Sequence, residues 1–261
     1  TETLDFALPQ LGDPGDVLIN EVLFNPRTAG RDFVEIYNAS AKNIGLKNWM
    51  LQNADLTTRV ISEDPLVIFP GQHLVLTDGV NTTIQEYPMS GAYRENFHEM
   101  ESLPSYNNGD GSVILADSLE NPIDRFDYLE DYHFPLLNTF DGVSLERLSY
   151  TRPTNEEGNW SSASERVGFA TPGYVNSQFL PEGRASAQFE LQDEVFSPDN
   201  DGFEDVLLIN YALDGPDYLA TIRIYDSTGR LIRGLTNNLL LGTGGTLSWD
   251  GTTDDRALIH I

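Results

Sequence analysis

The sequence predicts an all-β protein of two sandwich domains in tandem, the second incomplete at its C-terminus. Three observations carry that expectation. The periodic segments are short, rich in Val, Ile, Leu, Phe and Tyr, and bounded by Gly, Pro, Asn and Asp, as strands are. Helical periodicity is nearly absent. Over residues 176–187 the pattern breaks around Pro181 and Gly183 and then restarts, dividing the 261 residues into a longer and a shorter part, each within the size range of a domain.

In the first part, strands are expected at 17–24, 33–38, 46–52, 66–69, 73–77, 112–116, 123–128 and 143–148. Eight short strands suggest a sandwich or barrel. Between them, 78–111 is polar and carries Pro88, Gly91, Pro104 and an Asn-Asn-Gly-Asp-Gly run; it is expected to be a long loop with at most one helical turn near 95–100. In the second part, strands are expected at 187–191, 206–212, 219–225, 231–235 and 246–249, with Ser227-Thr228-Gly229-Arg230 as a tight turn. That is the strand spacing of an immunoglobulin-like sandwich, in about 75 residues where a complete one takes roughly 100. The domain expectation is an extension over 1–15, a sandwich over 16–178, a linker over 179–185 and a second sandwich over 186–261 without its final strand.

Six blocks in the first part, GDVLINEVLFNP (15–26), DFVEIYNAS (32–40), IGLKNWML (44–51), FPGQHLVLT (69–77), GDGSVILAD (109–117) and FATPGYVNSQ (169–178), resemble a bacterial lamin tail domain. The resemblance implies an Ig-like sandwich that serves as an accessory module of secreted or surface proteins. In the second part, FSPDNDGFEDVLLINY (196–211), ATIRIYDSTGRLIRGL (220–235) and LSWDGTTDD (247–255) are similar to flagellar-hook-cap-type Ig-like domains and the related C-terminal modules of gliding-type bacteria. This second resemblance implies export to the cell surface and one more strand than the residues after Trp249 supply.

Composition narrows the chemistry. Acidic residues outnumber basic ones 41 to 15, for a net charge of −26, which repels nucleic acid and anionic lipid. No cysteine is present, so disulfides, thiolate zinc sites and cysteine nucleophiles are excluded. No apolar run reaches the roughly 18 residues of a membrane span. The densest acidic constellation surrounds Pro198 and Gly202, where Asp199, Asp201 and Asp205 could supply oxygens to calcium; Asp-Asn-Asp-Gly is equally good chemistry for a metal-free turn.

Glu21 and Glu35 lie on neighbouring expected strands and could be read as an acid–base pair, as in glycosidases. The other reading, that each accepts donors from a loop or an adjacent backbone, is the one expected here. His73, His98, His133 and His260 fall in no metal-binding spacing, and no serine lies in a nucleophile elbow. Trp49 and Trp249 are expected in cores, whereas Trp160 is left open to sugar stacking. Three Asn-x-Ser/Thr sequons, at Asn38, Asn81 and Asn159, and the Asp-Ser-Leu and Asp-Ser-Thr triplets at 117–119 and 226–228 are short patterns with little weight.

The functional expectation is a non-catalytic secreted or cell-surface module for adhesion, anchoring or support of a larger exported bacterial protein. Its partners would be other surface proteins or glycans, with edge-strand pairing through the second domain. The rival is a carbohydrate-binding or hydrolytic protein using the 78–111 segment.

Overall fold

The computed structural model describes residues 8–181, 187–193, 195–199 and 204–259. They form two compact units: Thr1–Ala163 with Val167–Phe179, and Ser164–Arg166 with Leu180–Ile261. Strands predominate in both, and the fold is an all-β, Ig-like sandwich architecture.

In the first unit the strands are β1 (Val17–Leu23), β2 (Phe33–Asn38), β3 (Ile44–Gly45), β4 (Met50–Gln52), β5 (Thr58–Val60), β6 (Val67–Ile68), β7 (His73–Thr77), β8 (Phe97–Glu99), β9 (Asp110–Ala116), β10 (Pro122–Leu129), β11 (Leu145–Arg147) and β12 (Trp160–Ser162). A six-stranded sheet, in order β12-β11-β1-β2-β7-β8, packs on a four-stranded sheet, β10-β9-β4-β5. Side chains alternate across a pleated strand. Val34 and Ile36 of β2 and Leu74 and Leu76 of β7 therefore point the same way, and they meet Leu51, Val113, Leu115 and Phe126 of the other sheet in the main core. Trp160 closes this core, stacked on Phe126 with ring centroids 3.6 Å apart and its indole N–H given to the Thr154 carbonyl at 2.7 Å. It is a packing residue buried with Trp49, and sugar stacking is excluded for it.

The run VLINEVLF departs from strict alternation, and the reason is a β-bulge. Ile19 pairs with Ile36 but Glu21 pairs with Glu35, so two residues of β1 oppose one of β2. Asn20 and Glu21 consequently both face away from the main core, and Val22 and Phe24 return to it.

The segment 78–111, expected as a loop, is largely ordered into elements: helix α1 (Val80–Glu86), a 3-10 stretch over Pro88–Asn96, and β8, which pairs in parallel with β7. The helix has no side-chain N-cap and is rich in Asn and Thr, which are poor helix formers, so propensity gives little sign of it. Burial of Val80, Thr83 and the following Tyr87 holds it in place. Three further strands, β5, β8 and β12, have three residues each, too few for a period-2 pattern to register.

The second unit holds β13 (Gln188–Leu191), β14 (Leu207–Ala212), β15 (Leu219–Tyr225), β16 (Leu231–Leu240) and β17 (Gly244–Trp249). A three-stranded sheet, β13-β14-β17, and the β15-β16 hairpin enclose Tyr211, Leu213, Leu241 and Leu247. The core is small, and Phe189, Leu191, Tyr225 and Leu231 remain exposed. A groove of about 830 Å³ opens beside Tyr225, Leu231, Trp249 and Leu258.

Candidate functional site

The outer face of the six-stranded sheet carries a buried polar cluster. Register places Glu35, Glu21 and Glu146 side by side on β2, β1 and β11. Direct cross-strand neighbours have Cβ atoms roughly 5 Å apart, and all three side chains are 0% exposed. Burying one carboxylate costs several kcal/mol unless donors replace its water. Most of those donors come from the segment 169–178, a strap laid over the row, and the rest from Ser144, Asn20 and His73.

Glu21 Oε1 accepts the Ser144 hydroxyl at 2.5 Å and the Thr171 amide at 2.8 Å. Glu35 Oε2 accepts the Gly173 amide at 2.6 Å, and its Oε1 accepts the Asn20 side chain at 2.7 Å and faces His73 Nδ1 at 2.8 Å. Glu146 Oε2 accepts the Gln178 amide at 2.7 Å and the Ser177 hydroxyl at 2.8 Å, while its Oε1 accepts the Thr171 hydroxyl at 2.7 Å. Asn176 completes the attachment. Its side-chain amide donates to the backbone carbonyls of Asn20 and Arg147 at 3.0 and 2.9 Å, and its Oδ1 accepts from Asn20 at 2.8 Å.

Burial, reinforced by the charges of Glu146 and then Glu35, pushes the Glu21 carboxyl well above the usual carboxylate range. Burial likewise raises Glu146, up to about 7, against the pull of its hydrogen bonds to Thr171, Ser177 and Gln178. The geometry of Glu21 and Glu35 is therefore that of framework carboxylates accepting backbone donors. Sequence reasoning reached those two. It missed Glu146, whose partnership depends on β11 returning beside β1 across 125 residues, and it missed the strap's role in 169–178.

Three other clusters bear on function. Ser162 and His133 form a buried pair at 2.9 Å, with burial lowering the imidazole to about 4 and with Ser162 Oγ also accepting the Phe134 amide. Both are sealed in the interior. Asp32 is pushed up to about 7 by burial and by the Asp78 charge, beside a shallow groove of about 290 Å³. In the acidic loop, Asp199 and Asp205 are described, whereas Asp201 lies outside the described residues, as does His260. The backbone there turns through Ser197 N–H to Glu204 O and Asp199 N–H to Ser197 O, each at 2.8 Å. Among the described residues, no group of three or more His, Asp or Glu is arranged to hold a metal ion.

No curated protein is similar enough to the chain to count as a match. The similarity of the second part to hook-cap-type domains gains no support from the family comparison. That comparison returns one family for the first unit: residues 12–130, which span β1 to β10 and include Glu21, Glu35 and His73, match the family model described as Lamin Tail Domain, an Ig-like fold.

Proposed function

We propose that the chain is a non-catalytic module of a secreted or cell-surface bacterial protein, serving adhesion, anchoring or support of a larger exported protein. The observation that carries the reading is the fate of Glu21 and Glu35. Both are fully buried, and all four of their carboxylate oxygens contact the strap or framework side chains. General acid–base work needs a carboxylate within reach of substrate, and solvent does not reach these. The lamin tail match supports a structural role for the first unit. The hydrolytic alternative used the 78–111 loop, much of which is taken up by the helix Val80–Glu86, the 3-10 stretch Pro88–Asn96 and the strand Phe97–Glu99.

Partners, on this reading, are other surface proteins or glycans. A charge of −26 disfavours nucleic acid, and no helix among the described residues is long and apolar enough to cross a membrane. In the second unit the outer edge of β17 and the exposed Tyr225 and Leu231 beside the groove offer a place for edge-strand pairing.

A glycan array and a hydrolysis screen on the same sample test the proposal; binding without turnover is expected. Turnover that disappears in Glu21→Gln or Glu35→Gln would overturn it. Calcium at Asp199, Asp201 and Asp205 is the one cofactor proposed. Millimolar calcium should then raise the unfolding temperature of the second unit relative to excess EDTA, and coincident transitions would leave a metal-free turn.

A further inference from the structure

We propose that the Glu35–Glu21–Glu146 row is a proton-operated latch: it closes on the 169–178 strap while Glu21 Oε2 and Glu146 Oε1 share a proton across the Thr171 hydroxyl, and loss of that proton frees the strap. The hydroxyl of Thr171 supplies the first argument. Its Oγ1 lies 2.7 Å from Glu146 Oε1 and 3.2 Å from Glu21 Oε2. A hydroxyl has one proton to donate. Were both carboxylates ionised, one of these contacts would set lone pair against lone pair where no water can intervene.

One proton held between the two carboxyls resolves the conflict. On Glu21, Oε2–H donates to Thr171 Oγ1 and the Thr171 proton goes to Glu146 Oε1; on Glu146, both bonds run the other way. Glu21 Oε1 already accepts from Ser144 and the Thr171 amide, and Glu146 Oε2 from Ser177 and the Gln178 amide, so Glu21 Oε2 and Glu146 Oε1 are the oxygens left to share the proton.

The surroundings give the second argument. The titratable groups facing Glu21 are Glu35 from β2, Glu146 from β11, His73 from β7, Tyr87 following α1, and Tyr174 on the strap. None is Lys or Arg. Arg147 follows Glu146, but its guanidinium lies on the core face of the sheet and donates there to Ile19 O, Thr154 Oγ1 and Arg152 O. Burial raises both carboxyls and accordingly holds the shared proton on.

Opening is the way to relieve an ionised row. Three adjacent carboxylates that no Lys or Arg among the described residues faces need water, and water reaches them only if the strap lifts, breaking the bonds from the Thr171, Gly173 and Gln178 amides. The strap is ten residues long, so its release frees that length of chain, up to roughly 33 Å when extended.

The test uses the full chain. Infrared spectra of Asp32→Asn, which removes the other carboxyl raised to about 7, should show a protonated carboxyl absorption from the row at about pH 6, above the range where ordinary carboxylates titrate, and adding Glu21→Gln should weaken it by one carboxyl's share. Hydrogen exchange at the Thr171, Gly173 and Gln178 amides, corrected for intrinsic rates, should report an opening constant that rises between about pH 5 and pH 7, roughly tenfold per unit for each proton lost on opening. Glu21→Gln keeps a donor toward Thr171 and cannot ionise, so its slope should fall by one proton. An absent absorption in Asp32→Asn, or equal slopes in the wild type and Glu21→Gln, overturns the latch. If Glu21→Gln does not fold, the infrared spectrum of Asp32→Asn decides alone.

Discussion

Arg147 has five guanidinium donors to place inside the protein, since its side chain is only 1% exposed. It places them on the carbonyls of Ser149, Ile19 and Arg152, on the Thr154 hydroxyl, and toward Asp124 at 3.5 Å, while the group lies over the Trp160 ring. One side chain thus pins the 149–154 turn to β1 and β10. Arg147→Met, which preserves volume, should destabilise the first unit by about 3–5 kcal/mol, because it leaves those acceptors buried without donors. Arg147→Lys should recover little, as an ammonium cannot span the fork. Urea unfolding of the three proteins would show it. A second residue-scale dependence is steric: a Cβ at Gly111 would come within 2.5 Å of the hydroxyl oxygen of Tyr128, its cross-strand partner. That hydroxyl donates to Asn107 O and the ring is buried, so it cannot swing away. Gly111→Ala should cost about 1–3 kcal/mol by overpacking in the same measurement.

At the scale of elements, the strands whose apolar residues alternate were legible, and β2, β7 and β15 have the expected bounds. What sequence could not reveal were α1, held by burial against poor intrinsic propensity, and β8, whose parallel partner β7 is twenty residues away. Two of the three carboxylates of the row were visible as Glu21 and Glu35. The third member and the strap were hidden because their partners are far off in sequence, and local pattern contains no register between distant strands. The strap's own weak point is Gly173, at φ +97°, where a Cβ would press on Phe97 and Tyr93 at 3.1 and 3.2 Å. Gly173→Ala should cost about 1–3 kcal/mol and raise hydrogen exchange across 169–178 before the sheet core exchanges. Uniform exchange through the first unit would show the strap and sheet to be one cooperative body.

For the whole molecule, acid should favour folding. Glu146 titrates near 7 in the folded protein against an ordinary value of 4.5, and Glu21 is raised further in the same direction. A raised folded pKa means that the folded chain binds more protons than the unfolded chain above pH 4.5, so stability falls as pH rises through that window, by about 1.4 kcal/mol per unit per group. Asp32, raised to about 7, adds to the trend. His133 opposes it: held near 4 when folded, it withdraws stability as pH drops below 6.5. Three carboxyl groups outweigh one imidazole, and self-repulsion from the net charge of −26 also relaxes in acid. The unfolding free energy of the first unit should therefore peak near about pH 5. Denaturation monitored at several pH values checks this, and a maximum above pH 7.5 would contradict it.

The strap reaches Glu21 across 150 residues of chain. A ribosome or an export channel releasing this protein from its N-terminus delivers β1 and β2 long before the segment that covers them. Until Gln178 emerges, the carboxylate row has no lid and stays hydrated and ionised. Completing the first unit is then a late step of high contact order in which the chain takes up a proton as it closes. If the proposed latch holds, closure of the strap over the row is favoured by acid and disfavoured by base, whatever order the chain emerges in.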